Sequence, residues 1–240
     1  MVRGRGSRSG GGDGLGEGGA RREATRVRTA RRRNLGSTRW LQRQLNDPYV
    51  KQAKKDGYRS RAAYKLRQID DKFELLRPGI RVVDLGATPG GWTQVVVERV
   101  QPEQSGGQVI AFDLAEMAPV AGAVVVRGDL YDDDTREALR AALEGEAELV
   151  LCDMAASATG HAPTDHLRTL ALGEAALAFA ADVLTQGGAF VVKVLQGADE
   201  PDFFAELRTY FGSVRRIKPP ASRSDSTELY LVATSFKGPE

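Results

Sequence analysis

From Ile80 onward, short and almost uninterrupted apolar runs alternate with helical ones. Strands are predicted at Arg81–Leu85, Gln108–Phe112, Ala123–Arg127, Leu149–Cys152, Ala189–Val194, Ser213–Ile217 and Glu228–Ala233, each short and β-branched or apolar. Helices are predicted between them at Thr93–Val100, Thr135–Leu143, Leu167–Leu184 and Asp202–Phe211. Strands that lack polar alternation are buried on both faces, so a mostly parallel sheet with helices on either side is expected. The last two strands are joined by Lys218–Thr227, which carries no helical pattern. A parallel crossover needs a longer connection, so the final strand is expected to run antiparallel. There is no internal repeat.

Ahead of the sheet the chain is basic. Residues 1–60 carry 16 Lys and Arg against 5 Asp and Glu, a net of +11; residues 61–240 carry 18 against 27, a net of −9. A basic arm on an acidic body is the asymmetry of a polyanion-binding protein. Nine of the 27 glycines fall in the first 20 residues, and Arg21, Arg22, Arg26, Arg28 and Arg31–Arg33 follow. Residues 1–36 are therefore read as a disordered arm, either a solubilising tail or an electrostatic tether to RNA. Residues 37–240 are read as a single domain, with a basic helical segment at 37–79 and a core at 80–236. In that segment Ser60 is expected to cap a helix whose apolar positions are Ala63, Leu66, Ile69 and Phe73. Tyr49 and Tyr58 are interleaved with Lys51, Lys54 and Lys55, which suits base stacking plus phosphate contact. Together with Arg59 and Arg61 these lysines are the expected RNA landing surface.

Several functions are excluded. One cysteine, Cys152, rules out a disulfide framework and a CxxC site; it is read as a packed small hydrophobe. His161 and His166 without cysteine partners do not make a usual zinc site, so no metal is expected, and a solvated or capping role is assigned to both. No apolar run approaches the ~20 residues that span a bilayer. The basic N-terminus lacks an apolar stretch of the secretory kind, so a cytoplasmic protein without membrane contact is expected, as a monomer.

The first strand runs into Asp84-Leu85-Gly86-Ala87-Thr88-Pro89-Gly90-Gly91-Trp92. Glycines at a strand-to-helix turn let backbone approach a ligand in the first crevice of an open α/β sheet. Gly86, Gly90 and Gly91 do not fit GxGxxG, and Pro89 stiffens the loop, so a ligand without a diphosphate is preferred. Asp113 ends the second strand, where a carboxylate can accept ribose hydroxyls, and Asp129 follows the third, where one can accept from an adenine amino group. Either Asp alone reads equally well as a cap or turn residue. Together with the glycine loop they point to adenosine, and adenosine without a diphosphate suggests S-adenosylmethionine. Trp92 is expected to pack on that cofactor or to belong to the core.

A second constellation lies on the later strands. Asp153 follows the fourth, and Lys193 sits inside Val191-Val192-Lys193-Val194. A lysine in an apolar buried strand is costly unless paired. With an antiparallel last strand, Glu228 begins at the edge where strands four and five end. Asp153, Lys193 and Glu228 are then expected to converge, with Lys65 covering the same edge.

The runs Ser60-Arg61-Ala62-Ala63-Tyr64-Lys65-Leu66, Val82 to Trp92, Cys152-Asp153-Met154-Ala155, Val191 to Val194 and Ser222-Arg223-Ser224 together resemble the FtsJ/RrmJ family of ribose 2′-O-methyltransferases. The resemblance covers about residues 40–236. It implies a Rossmann-like class I fold that uses S-adenosylmethionine. It places the family's Lys-Asp-Lys-Glu tetrad on Lys65, Asp153, Lys193 and Glu228, and its cofactor contacts on Gly90, Trp92, Asp113, Asp129 and Asp153, beside the Gly86 turn. The implied reaction is methylation of a uridine ribose in 23S ribosomal RNA of the large subunit. The alternatives are tRNA, an mRNA cap, or a non-catalytic assembly factor, against which a complete tetrad argues. Lys193 is the expected base or orienting group, Asp153 its holder, and Lys65 with Glu228 the ribose clamp. The chain departs from the family at Thr88, in place of a usual Ala, and at Ala156-Ser157, in place of Pro-Asn.

Overall fold

The computed structural model describes residues 41, 42 and 44–238. The chain divides into two units, residues 1–46 and residues 47–240. In the first, the described residues 41, 42 and 44–46 are helical, and the Asn46 side-chain amide donates to the Gln42 carbonyl at 2.7 Å. The arm predicted at residues 1–36 lies outside the described residues.

The second unit opens with two helices. Helix α1 (Pro48–Asp56) starts after Asp47, whose carboxylate accepts the Tyr49 N–H at 3.0 Å, and it ends at Gly57 in the left-handed region. Helix α2 (Ala63–Phe73) presents Ala63, Leu66 and Ile69 at helical spacing, all fully buried. Burying Leu66 and Ile69 contributes about 1.5–3 kcal/mol each. Ser60 does not cap this helix. Ala62 holds that position with no side-chain bond, and the Ser60 hydroxyl is packed against Gly91, where any Cβ would collide with it.

The sheet has seven strands: β1 (Arg81–Leu85), β2 (Gln108–Asp113), β3 (Val124–Arg127), β4 (Ala147–Cys152), β5 (Leu184–Leu195), β6 (Phe211–Ile217) and β7 (Glu228–Phe236). Their order is β3-β2-β1-β4-β5-β7-β6. β7 runs antiparallel to both neighbours, and the other strands are parallel to one another, as the short final connection requires. The helices between strands are α3 (Gly91–Val100), α4 (Pro102–Ser105), α5 (Asp133–Ala142), α6 (Ala162–Val183) and α7 (Glu200–Tyr210). Leu139, Phe179 and Leu207, from α5, α6 and α7, pack with Val83, Val150, Phe190 and Val192 on one face of the sheet. On the other face Leu66 and Ile69 of α2 and Trp92, Val95 and Val96 of α3 pack with Val82, Leu151, Val191 and Tyr230. Cys152 is buried in the first cluster, and burial pushes its thiol up to about 12, so it is inert packing.

Of the two histidines only His166 departs from expectation; His161 is exposed at the N-cap of α6. His161 precedes α6 and bonds Thr164 Oγ1 through Nδ1 at 2.8 Å, whereas His166 is not solvated but buried, with its ring against Gly197. Among the described residues no helix is long and apolar enough to cross a membrane, and no group of three or more His, Cys, Asp or Glu could hold a metal ion.

Candidate active site

The register of the sheet assembles the tetrad. Cys152 pairs with Val192, so Asp153 lies one step beyond β4, beside Lys193. Lys193 pairs with Tyr230 across β5 and β7, and Leu195 pairs with Glu228. Side chains two residues apart share a face, so Glu228 and Tyr230 point the same way as Lys193. Helix α2 covers that face and supplies Lys65.

The resulting distances are short. Lys193 Nζ donates to the Asp153 carbonyl at 2.6 Å and lies 3.0 Å from Asp153 Oδ1. Lys65 Nζ lies 2.7 Å from Glu228 Oε1 and 5.7 Å from the centre of the Tyr230 ring. The Tyr230 hydroxyl donates to Asp153 Oδ1 at 2.9 Å, and at 3.5 Å it also faces Glu228 Oε1. Two ammonium groups thus face two carboxylates, a balanced cluster in a site largely closed to water. Burial pushes the Asp153 carboxyl up, but the Lys193 and Lys65 charges and the hydrogen bonds it accepts outweigh it and hold the group below the usual carboxylate range. Asp153 is therefore an anion at neutral pH. Tyr230 is driven well above its ordinary value by burial and by the two carboxylates, so it keeps its proton and remains a donor. Nothing in the sequence singles out Tyr230. Its alternation on β7 reads as core, and only the β5–β7 register reveals that its hydroxyl reaches Asp153.

A cleft of about 650 Å³ opens at the carboxyl ends of β1, β2 and β4 and meets the tetrad at Asp153. Gly86, Asp113, Leu114, Tyr131 and Met154 also line it. Its size suits a small-molecule ligand. Leu114 and Tyr131 are 66% and 58% exposed at its wall, an apolar flank for a purine, while Asp113 and Asp153 offer carboxylates to a ribose and to a cation. Asp113 accepts the N–H groups of Thr88 at 2.9 Å and Ala115 at 2.8 Å, one on each oxygen, leaving a lone pair of each for a diol. These acceptors and this shape fit S-adenosylmethionine. A groove of about 720 Å³ beside Tyr58, Arg59 and Glu98 holds none of the tetrad, so its larger size does not make it the reaction site.

Other predicted cofactor residues are placed differently. Gly86 lines the cleft, but its missing Cβ also makes room for Met154, which a methyl would meet at 2.7 Å. Gly90 has φ +106 and lies under the Arg59 guanidinium, 2.9 Å from where a Cβ would sit. Trp92 does not present its ring to the cleft. It is buried, donates its indole N–H to the Ala62 carbonyl at 2.8 Å, and packs 5.6 Å from the Tyr230 ring. What remains for a ligand is its backbone N–H in the first turn of α3, where helical N–H groups lack intrahelical partners. Asp129 does not line the cleft; its carboxylate accepts the N–H of Tyr131 at 3.0 Å and so sets the tyrosine that does.

Two of the five expected landing cations also make bonds within the protein. Arg59 donates to the carbonyls of Pro89 at 3.2 Å, Ala118 at 2.6 Å and Pro119 at 2.5 Å, clamping the glycine loop to the segment after β2. Arg61 is paired with Asp47 and donates to the Ala221 carbonyl. Lys51, Lys54 and Lys55 remain exposed on α1.

A sheet of this order with β7 reversed, and a tetrad opening onto a cleft at its carboxyl edge, define a Rossmann-like methyltransferase that takes S-adenosylmethionine. Residues 58–236 match the model of the FtsJ-like methyltransferases, and the chain belongs to that family. It is 55% identical over 223 residues to the ribosomal RNA large subunit methyltransferase E of Paramagnetospirillum magneticum, covering 92% of this chain and 91% of that one. The protein of the same name from Roseobacter denitrificans is 54% identical over 217 residues, with 88% and 90% covered. Among solved structures, a ribosomal RNA methyltransferase from Plasmodium falciparum superposes with a TM-score of 0.68 at 28% identity, over 75% of this chain and all of that one.

Proposed function

We propose that this protein methylates the 2′-oxygen of a uridine ribose in 23S ribosomal RNA of the large subunit, acting in the cytoplasm as a monomer. The observation that carries the reading is the junction at Asp153, where the tetrad meets the cleft. Relatives more than half identical over nearly the whole chain carry the name of a large-subunit RNA methyltransferase.

When bound, S-adenosylmethionine supplies a methyl group made electrophilic by its sulfonium. The chain's own residues do the rest. Asp113 would hold the cofactor's ribose, and the anionic Asp153 would offer its charge to the cationic sulfonium. Asp153 also occupies Lys193 through both its carbonyl and its carboxylate. An ammonium has three donors, so one is left to orient the ribose 2′-hydroxyl. In its neutral form Nζ takes the proton that the hydroxyl sheds. Lys65 and Glu228 fix the sugar. Holding the hydroxyl in line with the methyl carbon is itself a large part of the rate gain.

Lys51, Lys54 and Lys55 supply the RNA landing surface. Replacing all three by Ala is expected to flatten the salt dependence of RNA binding, by about 0.7–0.9 in log–log slope for each phosphate no longer neutralised. An unchanged slope refutes that assignment. The functional test is to map 2′-O-methyls on ribosomal RNA after incubation with the protein and the methyl donor. One new methylated uridine in 23S RNA is expected. Methylation confined to tRNA or to capped RNA would redirect the substrate, and none on any RNA would overturn the reading.

A further inference from the structure

The segment between β6 and β7 is fastened to helix α2 at one residue. Ala221 is fully buried, in a small cluster with Ala53 of α1 and Tyr64 of α2. Its N–H donates to Gln68 Oε1 at 2.7 Å, and its carbonyl accepts from Arg61. Both backbone groups of one loop residue are thus taken by side chains that flank or belong to α2. Arg61 is itself held by Asp47, the residue that caps α1. The next residue, Ser222, is also buried, and its hydroxyl donates to Glu228 Oε1 at 3.0 Å. That oxygen is the one that Lys65 Nζ meets at 2.7 Å.

Lys65 and Gln68 stand three residues apart on α2, one above the other on a helical face. One helix therefore supplies the lysine of the Lys65–Glu228 pair and also fastens the loop that brings the serine to the same glutamate. A lysine–carboxylate pair alone lets the carboxylate swing about its own bonds. A second donor arriving from a pinned backbone removes that freedom.

We propose that residues 218–227 are latched onto α2 through Ala221, and that Ser222, Gln68 and Arg61 are positioning residues that set the Lys65–Glu228 pair for the substrate ribose. The inference rests on the functional reading above, in which that pair holds the sugar. It also explains why Arg61 is a poor landing cation: its guanidinium is committed to the latch.

The test compares Ser222→Ala, Gln68→Ala and the double variant with the wild-type protein, on whichever RNA the wild type methylates. Each single variant is expected to lose kcat on the order of 10-fold, the scale of a small misplacement of a reacting group. Affinity for the methyl donor, measured by calorimetry, stays unchanged, because the cleft is untouched. The double variant is expected to be no slower than Ser222→Ala, because Gln68 acts through the serine. A latch that only stabilised the fold would give multiplying losses and weaker donor binding in each variant. Wild-type kcat in Ser222→Ala and Gln68→Ala, or multiplying losses, overturns the latch. Wild-type protein that methylates only a non-ribosomal RNA sinks the functional reading instead, with the latch still judged on that RNA.

Discussion

Replacing Lys193 by Met removes the ammonium while keeping much of the side chain's length and apolar stem. Asp153 then loses the ammonium that stands 2.6 Å from its carbonyl and 3.0 Å from its carboxylate, and keeps the Tyr230 hydroxyl at 2.9 Å. Breaking a buried ion pair from one side costs about 3–5 kcal/mol, and the surviving tyrosine bond puts this case at the low end. A domain of this size loses roughly 2–4 °C of Tm for each kcal/mol, so a fall of about 6–12 °C is expected. The Asp153 carboxyl is held low in the folded state, so it contributes stability above its unfolded pKa and loses it as pH falls through the folded one. With Lys193 gone, burial opposes the charge more effectively, and acid unfolding should begin at a higher pH than in the wild type. Methyl transfer should fall about 10²–10⁴-fold, the usual contribution of a positioned acid–base group. Urea melts across the acidic range and single-turnover transfer from a labelled donor read both effects. Near-normal single-turnover transfer by this variant would refute the role given to Lys193. An unchanged acid midpoint would refute the electrostatic account of Asp153.

Asp84 is fully buried on β1, accepts from Thr93 at 2.7 Å, and is pushed up to about 7 by burial and by the neighbouring Asp153 and Asp113 charges. A carboxyl raised in the folded state costs stability as pH climbs from about 4 to about 7, by roughly 4 kcal/mol in all. Asp84→Asn should flatten the wild-type decline in urea midpoint over that range, and an unaltered slope counts against it. Arg59→Met frees the glycine loop from the segment after β2 and should weaken donor binding on the order of 10-fold, about 1.4 kcal/mol; unchanged calorimetric affinity would show that the clamp is dispensable. Trp92→Phe should cost about 1 kcal/mol of stability by removing the bond to Ala62. It should leave donor affinity intact, and weakened binding would put the ring back at the cofactor.

The strands were legible because each is an apolar run, and the reversal of the last followed from its short connection. The edges of elements were less so. The strand was expected from Ala189, yet β5 begins at Leu184 and passes through Gly187 and Gly188, Gly187 at φ +84, with an irregular register against β4 between Ala147 and Leu149. Helix α6 begins at Ala162, before the predicted Leu167, because its first turn is polar and opens with a proline. In the site, Lys193 stood out because valines flank it. Tyr230 and Ser222 did not: a tyrosine on an apolar strand and a serine in a polar loop are ordinary until register and docking show what their hydroxyls reach. Trp92 and Arg59 are the opposite case. Trp92 was open to the cofactor or the core and its ring packs in the core, while Arg59, still exposed, also spends its guanidinium on three backbone carbonyls that no sequence pattern signals.

The reversal of β7 places the last elements of the site on the final stretch of sheet to be threaded, between two strands that precede it in the chain. A polypeptide cut short before Glu228 lacks the glutamate and the tyrosine, and it also leaves β5 and β6 without the strand that joins them. The same nine residues that bring the last groups of the site also bury Leu229, Leu231, Val232 and Phe236 in the core. Chemistry and cohesion of the sheet therefore rest on one element, and a change that loosens β7 disturbs both at once.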